Sequence, residues 1–231
     1  MTSKAPNVIN FYDKIKITNT YINPNKYTPQ HPHRTIIVGA SGSMKTNTLM
    51  NIIQASKSYT KIYLFAKALD EPLYDYLQVK LAKLKDLNGA SVLVTSSALD
   101  DLQDVEDFNP CEQNLVIFDD MISEGAKKIK DKLSDLFIRG RKQNISTIFI
   151  SQSFYEIPKI IRGQANYYIL KNITSKADRN LIIRDIGLDK EEMMAMFDRV
   201  IKADEKTFFM VDKKTTKSNM RYRINFEPMR E

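Results

Sequence analysis

Three short blocks of this sequence hold residues whose types and order suit phosphate chemistry. The first is Gly39-Ala40-Ser41-Gly42-Ser43-Met44-Lys45-Thr46, set between an apolar run and an amphipathic stretch. A phosphate cradle needs backbone N–H groups turned inward, hence residues without bulky side chains, and a helix N-terminus whose partial positive charge faces the anion. Gly39, Ala40, Ser41, Gly42 and Ser43 supply the small residues. Lys45 is then the group that reaches the β and γ phosphates of ATP, and the Thr46 hydroxyl the one that coordinates Mg²⁺. The pattern G-x-x-x-x-G-K-[ST] asks for glycine before the lysine, and Met44 stands there. Methionine fits if that residue has helical dihedrals, whereas a left-handed backbone would exclude it. The bland alternative is a Ser/Gly-rich turn that only caps a helix.

The second block, NLVIFDDM, runs four apolar residues into Asp119 and Asp120. Two carboxylates at the carboxyl end of a buried strand lie where parallel sheets bind ligands. Asp119 is assigned to the metal and Asp120 to the attacking water. Taken alone, the pair also reads as an Asp-rich turn.

The third block, LFIRGRKQNISTIFISQSFYEIPKIIR, delivers Gln152 to the same edge after a strand. Its amide can hydrogen-bond the attacking water or the terminal phosphate, or it can cap the strand end. Arg139, Arg141 and Arg162 are candidates for an arginine finger offered to a neighbouring subunit's γ-phosphate. Arginine in the last turn of a helix before glycine is also ordinary C-terminal capping, and Arg141 lies past that cap.

The elements that must position these groups follow from hydrophobic pattern. Strands are expected at Thr35 to Val38, Lys61 to Ala66, Ser91 to Thr95, Asn114 to Phe118, Ser146 to Ser151 and Asn166 to Leu170. Helices are expected over Lys45 to Ala55, Pro72 to Leu84, Ala126 to Ile138, Lys176 to Asp185 and Lys190 to Ile201. Strands alternating with helices give an α/β fold around a mainly parallel sheet. Residues 1–33, rich in proline, read as an arm or edge strand with an alternating stretch at Lys14 to Thr18, and the remainder, 34–231, as one domain. That domain ends in a β-hairpin at about 206–226, formed by Thr207 to Val211 and Met220 to Phe226.

Composition sets limits. The 231 residues carry 35 basic and 28 acidic side chains, a formal charge of +7 that favours a polyanionic partner. Lys127, Lys128, Lys130 and Lys132, or Lys213, Lys214 and Lys217 at the hairpin tip, could contact phosphates without reading sequence; the first run also reads as a solvated helix face. Cys111 is the one cysteine, which excludes an intrachain disulfide and a zinc cluster. No apolar run approaches the ~20 residues that span a bilayer, so an intracellular soluble protein is expected.

Together, VGASGSMKT, LVIFDDM and RGRKQNISTIFISQSFYEIPKIIR resemble the FtsK/HerA superfamily, and within it the genome-packaging ATPases of poxvirus-like and other large DNA viruses, virophages and Polinton-type elements. The resemblance covers roughly Arg34 to Leu170. It implies an ASCE-type P-loop NTPase with a three-layer fold, and a ring-forming homo-oligomer that uses ATP and Mg²⁺ to thread double-stranded DNA into a preformed capsid. Capsid or portal-vertex proteins are then partners, and the host cytoplasm, viral factory or virion the location. The family's roles fall on Lys45 and Thr46, on Asp119 and Asp120, and on Gln152. Met44 departs from the pattern, and Asp120 stands where most members carry glutamate. Two other readings stay open: a P-loop ATPase or kinase acting on another substrate, and a nucleotide-binding assembly subunit without turnover.

Overall fold

The computed structural model of the chain describes residues 14, 21–88, 92–121, 127–187, 189–201 and 204–229. The elements run β1 (Arg34–Val38), α1 (Lys45–Ser56), β2 (Lys61–Ala66), α2 (Pro72–Asn88), β3 (Val92–Ser96) and β4 (Asn114–Asp119). There follow α3 (Lys127–Arg139), β5 (Ile145–Ser151), α4 (Lys159–Gln164), β6 (Tyr167–Leu170), α5 (Lys176–Ile186), α6 (Lys190–Ile201), β7 (Phe209–Asp212), β8 (Tyr222–Ile224) and β9 (Glu227–Pro228). All nine strands share one sheet in the order β3-β2-β4-β5-β1-β6-β7-β8-β9. The first six pair in parallel and the last three antiparallel.

The layers follow from the two-residue period of the strands. Ile37, Ile62, Leu64, Leu115, Ile117, Ile148 and Ile150 face one side, where Leu49, Ile52 and Ile53 of α1 and Tyr74, Leu77 and Leu81 of α2 cover them. Ile36, Val38, Val116, Phe118 and Phe149 face the other, against Leu133, Leu136 and Phe137 of α3, Ile161 of α4, Ile182, Ile183 and Ile186 of α5, and Met193 and Phe197 of α6. Each of these fully buried aliphatic or aromatic groups contributes roughly 1.5–3 kcal/mol. The sheet is covered on both faces, which is why its central strands are buried at nearly every position and apolar through their middles.

Helix ends are set locally. The α5 helix starts at Ser175, whose hydroxyl accepts from Asp178 N, and stops at Gly187 with φ 69°. Differences from the expected boundaries are small except at the end of the chain. There the expected two-stranded hairpin gains a third strand, because Asn225, at φ 56°, turns the backbone sharply after β8. Residues 21–33 form no strand with the sheet, and of the alternating stretch Lys14 to Thr18 only Lys14 is among the described residues.

That N-terminal segment docks at the amino edge of the sheet through two buried histidines. His31 Nε2 meets Asn144 Oδ1 at 2.8 Å and its Nδ1 meets Ser146 Oγ at 2.6 Å. His33 Nε2 meets Tyr59 Oη at 2.6 Å and its Nδ1 meets Thr35 Oγ1 at 2.8 Å. Burial pulls His31 down to about 4 and holds His33 well below the ordinary imidazole range. The unfolded chain takes up these protons near pH 6.5 and the folded chain does not, so stability falls as pH falls from about 6.5 toward about 4. We expect the thermal midpoint to drop between pH 7 and pH 5, and His31→Asn to flatten that drop. An identical pH slope in the variant would show that His31 is not its source.

Candidate nucleotide site at the carboxyl edge of the sheet

Strand β1 lies between β5 and β6, with Val38 in register with Ser151 on one side and Leu170 on the other. The loop that leaves it therefore starts near the middle of the carboxyl edge. Gly39 N donates to Ser151 O at 3.3 Å and Ala40 N to Asn172 O at 2.8 Å, tying the loop to both neighbouring strands. A Cβ on Gly39 would lie 2.5 Å from Lys171 Cβ and 2.6 Å from Ser43 Oγ, so only glycine fits. Gly42 takes φ 73°, which turns the loop back toward the helix.

Met44 corrects an expectation. It sits just before α1 at φ 61°, ψ 38°, in the left-handed region that the sequence argument took to exclude methionine. The loop must reverse its curvature immediately before the lysine, and that reversal is what the usual glycine serves. The arrangement costs methionine about 1–2 kcal/mol. It is held by the first turn of α1, where both the backbone N and the hydroxyl of Thr48 donate to Met44 O at 3.0 Å.

Lys45 is 9% exposed, and its ammonium donates to Gly39 O at 3.0 Å and Ala40 O at 3.1 Å. Burial pulls its pKa below the usual lysine range, opposed by the charges of Asp120 and Asp119. Ser43 Oγ is buried and makes no hydrogen bond among the described residues. An unspent donor beside a buried ammonium at the start of a helix fits a phosphate group.

Asp119 closes β4 and Asp120 follows it at φ 54°, a left-handed position that aspartate tolerates. The turn sends the two carboxylates in different directions. Asp119 accepts a hydrogen bond from the Tyr74 hydroxyl, while Asp120 Oδ2 accepts from Gln152 Nε2 at 2.7 Å. Burial raises the pKa of Asp119, the Tyr74 hydrogen bond lowers it, and the Asp120 charge raises it further. Thr46, Tyr74, Asp119 and Asp120 share a pocket of about 410 Å³ with Asp70 and Glu71. A hydroxyl and carboxylates are the hard oxygen donors that suit Mg²⁺, so the residues present fit that ion.

The candidate groups Lys45, Thr46, Asp119, Asp120 and Gln152 are thus brought to one edge, with Gln152 in direct contact with Asp120. The arginines separate. Arg162 is 7% exposed, ion-paired to Asp185 at 2.9 Å, and donates to the carbonyls of Phe154 and Tyr155 at 3.2 and 3.3 Å. Its guanidinium is spent inside its own chain, which corrects its candidacy as a finger. Arg139 pairs with Glu106 and with Asp135. Arg141 is exposed and makes no hydrogen bond or ion pair among the described residues. Both lie at the amino ends of the strands, because α3 runs back across the sheet before β5 starts, so neither can reach Lys45 of its own chain.

Of the lysines considered for DNA, Lys132 pairs with Asp104 at 3.0 Å and donates to Leu102 O at 3.0 Å. The side chains of Lys127, Lys128 and Lys130 lie outside the described residues. Lys213 donates to Asp185 O at 2.8 Å, whereas Lys214 stands close to Arg34 and Arg141; burial first, then those two charges, pulls its pKa down.

Three residues of the site were not found from sequence. Asp178 is buried and accepts from Phe154 N at 3.1 Å, Tyr155 N at 2.9 Å and Ser153 Oγ at 3.3 Å, fixing the turn after Gln152. Its signal was Ser175 three residues before it, the spacing of a helix cap. Lys171 is 2% exposed, packs against Gly39, and donates to Glu205 O and Thr207 O at 2.7 and 3.0 Å. Tyr74 gave no signal beyond the apolar face of α2.

A model of the family described as the poxvirus A32 protein matches residues 25–226. Among solved structures, the DNA-packaging ATPase B204 from Sulfolobus turreted icosahedral virus superposes with a TM-score of 0.59 at 16% identity, covering 87% of this chain and 99% of that one. The genome-packaging NTPase B204 from Sulfolobus turreted icosahedral virus 2 in complex with AMPPCP gives 0.57 at 14% identity, over 85% and 98% of the two chains. Its complex with ATP-γS gives 0.52 at 14% identity, again over 85% and 98%. At these identities the likeness establishes a shared fold. No curated protein sequence matches the chain.

The Met44 backbone yields a direct test. Met44→Val, with a β-branched side chain in the left-handed region, is expected to lower stability by about 1 kcal/mol or more, and Met44→Gly to leave it equal or slightly higher. Urea unfolding of the three proteins measures this, and a valine variant as stable as the parent would refute the strain. Arg162→Ala is expected to cost about 1–3 kcal/mol by leaving the carbonyls of Phe154 and Tyr155 without their donor, while Asp185 keeps Arg184 as a partner.

Proposed function

The chain belongs to the poxvirus A32 protein family, and we propose that it is an ATP-driven motor that translocates double-stranded DNA and packages a viral genome into a capsid. It is an ATPase of the packaging type. The observation that carries the mechanism is the contact of Gln152 with Asp120 at 2.7 Å, next to the phosphate loop. A site that only held nucleotide would have no use for a carboxylate and an amide locked together where water meets the γ-phosphate.

Each residue has one task. The backbone of Gly39 to Ser43 and the Ser43 hydroxyl cradle the phosphates, and the Lys45 ammonium exchanges the carbonyls of Gly39 and Ala40 for phosphate oxygens. Thr46 and Asp119 would hold Mg²⁺, which when bound supplies neutralising charge to the triphosphate. Asp120 orients the attacking water and accepts its proton, and Gln152 fixes the Asp120 carboxylate and through it the water. Aspartate in place of glutamate shortens the reach to the water by one methylene, and the left-handed turn at Asp120 sets where that shorter arm points.

Arg141 is the arginine left to act on a neighbour. It belongs to a cationic group with Arg34 and Lys214 at the amino ends of the strands, far from its own loop. In a ring of identical copies that face can approach the next subunit's γ-phosphate. The net charge of +7 suits the DNA backbone, which would be gripped without sequence readout. Capsid or portal-vertex proteins are the further partners this role requires.

Asp120→Asn and Gln152→Ala are each expected to lower kcat about 10²–10³-fold with KM little changed, since both act on water rather than on bound nucleotide. Hydrolysis by the assembled protein should rise with double-stranded DNA and lose that rise as salt is increased. An assembled ring whose ATPase rate ignores duplex DNA would falsify the translocating motor while leaving the ATPase intact.

A further inference from the structure

The buried face of α2 carries one polar atom into the site, the hydroxyl of Tyr74. The ring is 4% exposed and packs with Leu77 and Leu81 beneath the sheet's first core layer. The hydroxyl donates to the Asp119 carboxylate, and Thr46 lines the same pocket. An ionised carboxylate accepts and cannot donate, so the phenol proton goes to Asp119. Thr46, Asp70 and Glu71 line the pocket in which that carboxylate is held.

We propose that Tyr74 is a positioning residue for a divalent cation: its hydroxyl, donating to Asp119, fixes the direction of the carboxylate that would hold the ion together with Thr46 across the same pocket. The inference rests on the nucleotide-and-Mg²⁺ reading above and goes beyond it by naming a residue from a third element. Thr46 comes from α1, Asp119 from β4 and Tyr74 from α2, so the cation's surroundings are assembled across three segments. Partners in this outer layer typically change metal affinity by about 10–100-fold when removed, because without them the inner groups lose orientation.

The test is Tyr74→Phe in the full-length chain, which removes one oxygen and keeps the ring in its packing. Mn²⁺ binding is read by paramagnetic resonance in the presence of AMPPCP, and nucleotide binding in chelator is read separately. The expected result is Mn²⁺ affinity about 10-fold weaker with metal-free nucleotide affinity unchanged. Equal losses in both, or no change in Mn²⁺ affinity, would overturn the assignment. In the Asp119→Asn background the further change on Tyr74→Phe should shrink to less than about two-fold, and a full additive loss would also overturn it. If Tyr74→Phe does not fold, Tyr74→His serves, because an imidazole nitrogen stops short of the phenol oxygen's position and should show the same weakened Mn²⁺ binding. Wild type that binds no Mn²⁺ with AMPPCP would instead refute the underlying reading of the site.

Discussion

Everything at the site depends on β1, β4 and β5 running parallel and ending together. Asp119 is in register with Ile150, and Val38 with Ser151, so a loop, a carboxylate pair and an amide leave the sheet within a residue of one another. The register itself is fixed by packing: a slip of one residue on any of these strands would send every side chain to the opposite core face, among neighbours shaped for other groups. The same packing energy that stabilises the sheet therefore places Asp120 within hydrogen-bond distance of Gln152. Catalytic geometry is here a consequence of strand register more than of loop design.

Local strain is concentrated where that geometry is used. Met44 and Asp120 both take left-handed backbones, at φ 61° and φ 54°, one ending the phosphate loop and one following β4. Aspartate bears this readily, and methionine does not. The chain keeps Met44 there because its carbonyl is needed by the first turn of α1 and because Gly39, pressed against Lys171, leaves the loop no alternative path. Strain of this size is small beside the buried core of α1, whose Leu49, Ile52 and Ile53 hold the helix start in place.

What could be read from sequence was what is local. The loop, the carboxylate pair and Gln152 each follow an apolar strand directly, so strand pattern alone placed them on one edge, and the helices between them implied parallel strands. The conformation of Met44 was not legible because methionine's low tolerance of a left-handed backbone favours helical dihedrals, whereas the loop's reversal before Lys45 imposes the left-handed one. Tyr74 was invisible because its partner is 45 residues away and its spacing matched an ordinary apolar helix face. Arg162 was misread for the same reason, since Asp185 lies on another helix and nothing in RGQ or IIR announces it. The third terminal strand depended on a left-handed Asn225, a residue type that permits such a turn without requiring it.

The division of labour between the two edges of the sheet bears on how hydrolysis can be coupled to movement. At the carboxyl edge the charged groups are mostly satisfied within the chain: Lys45 by loop carbonyls, Asp119 by Tyr74, Asp120 by Gln152. At the amino edge Arg34, Arg141 and Lys214 stand near one another with like charge, which costs free energy unless an anion comes to meet them. A chain that is complete at one edge and uncompensated at the other is suited to head-to-tail association, in which one copy's cationic edge faces the next copy's phosphates. Loss of the γ-phosphate would then weaken an interface as well as empty a site. Because β1 and β5 connect the two edges through a few fully buried residues each, a shift at the loop of one copy in such an assembly would reach its opposite edge through close-packed strands.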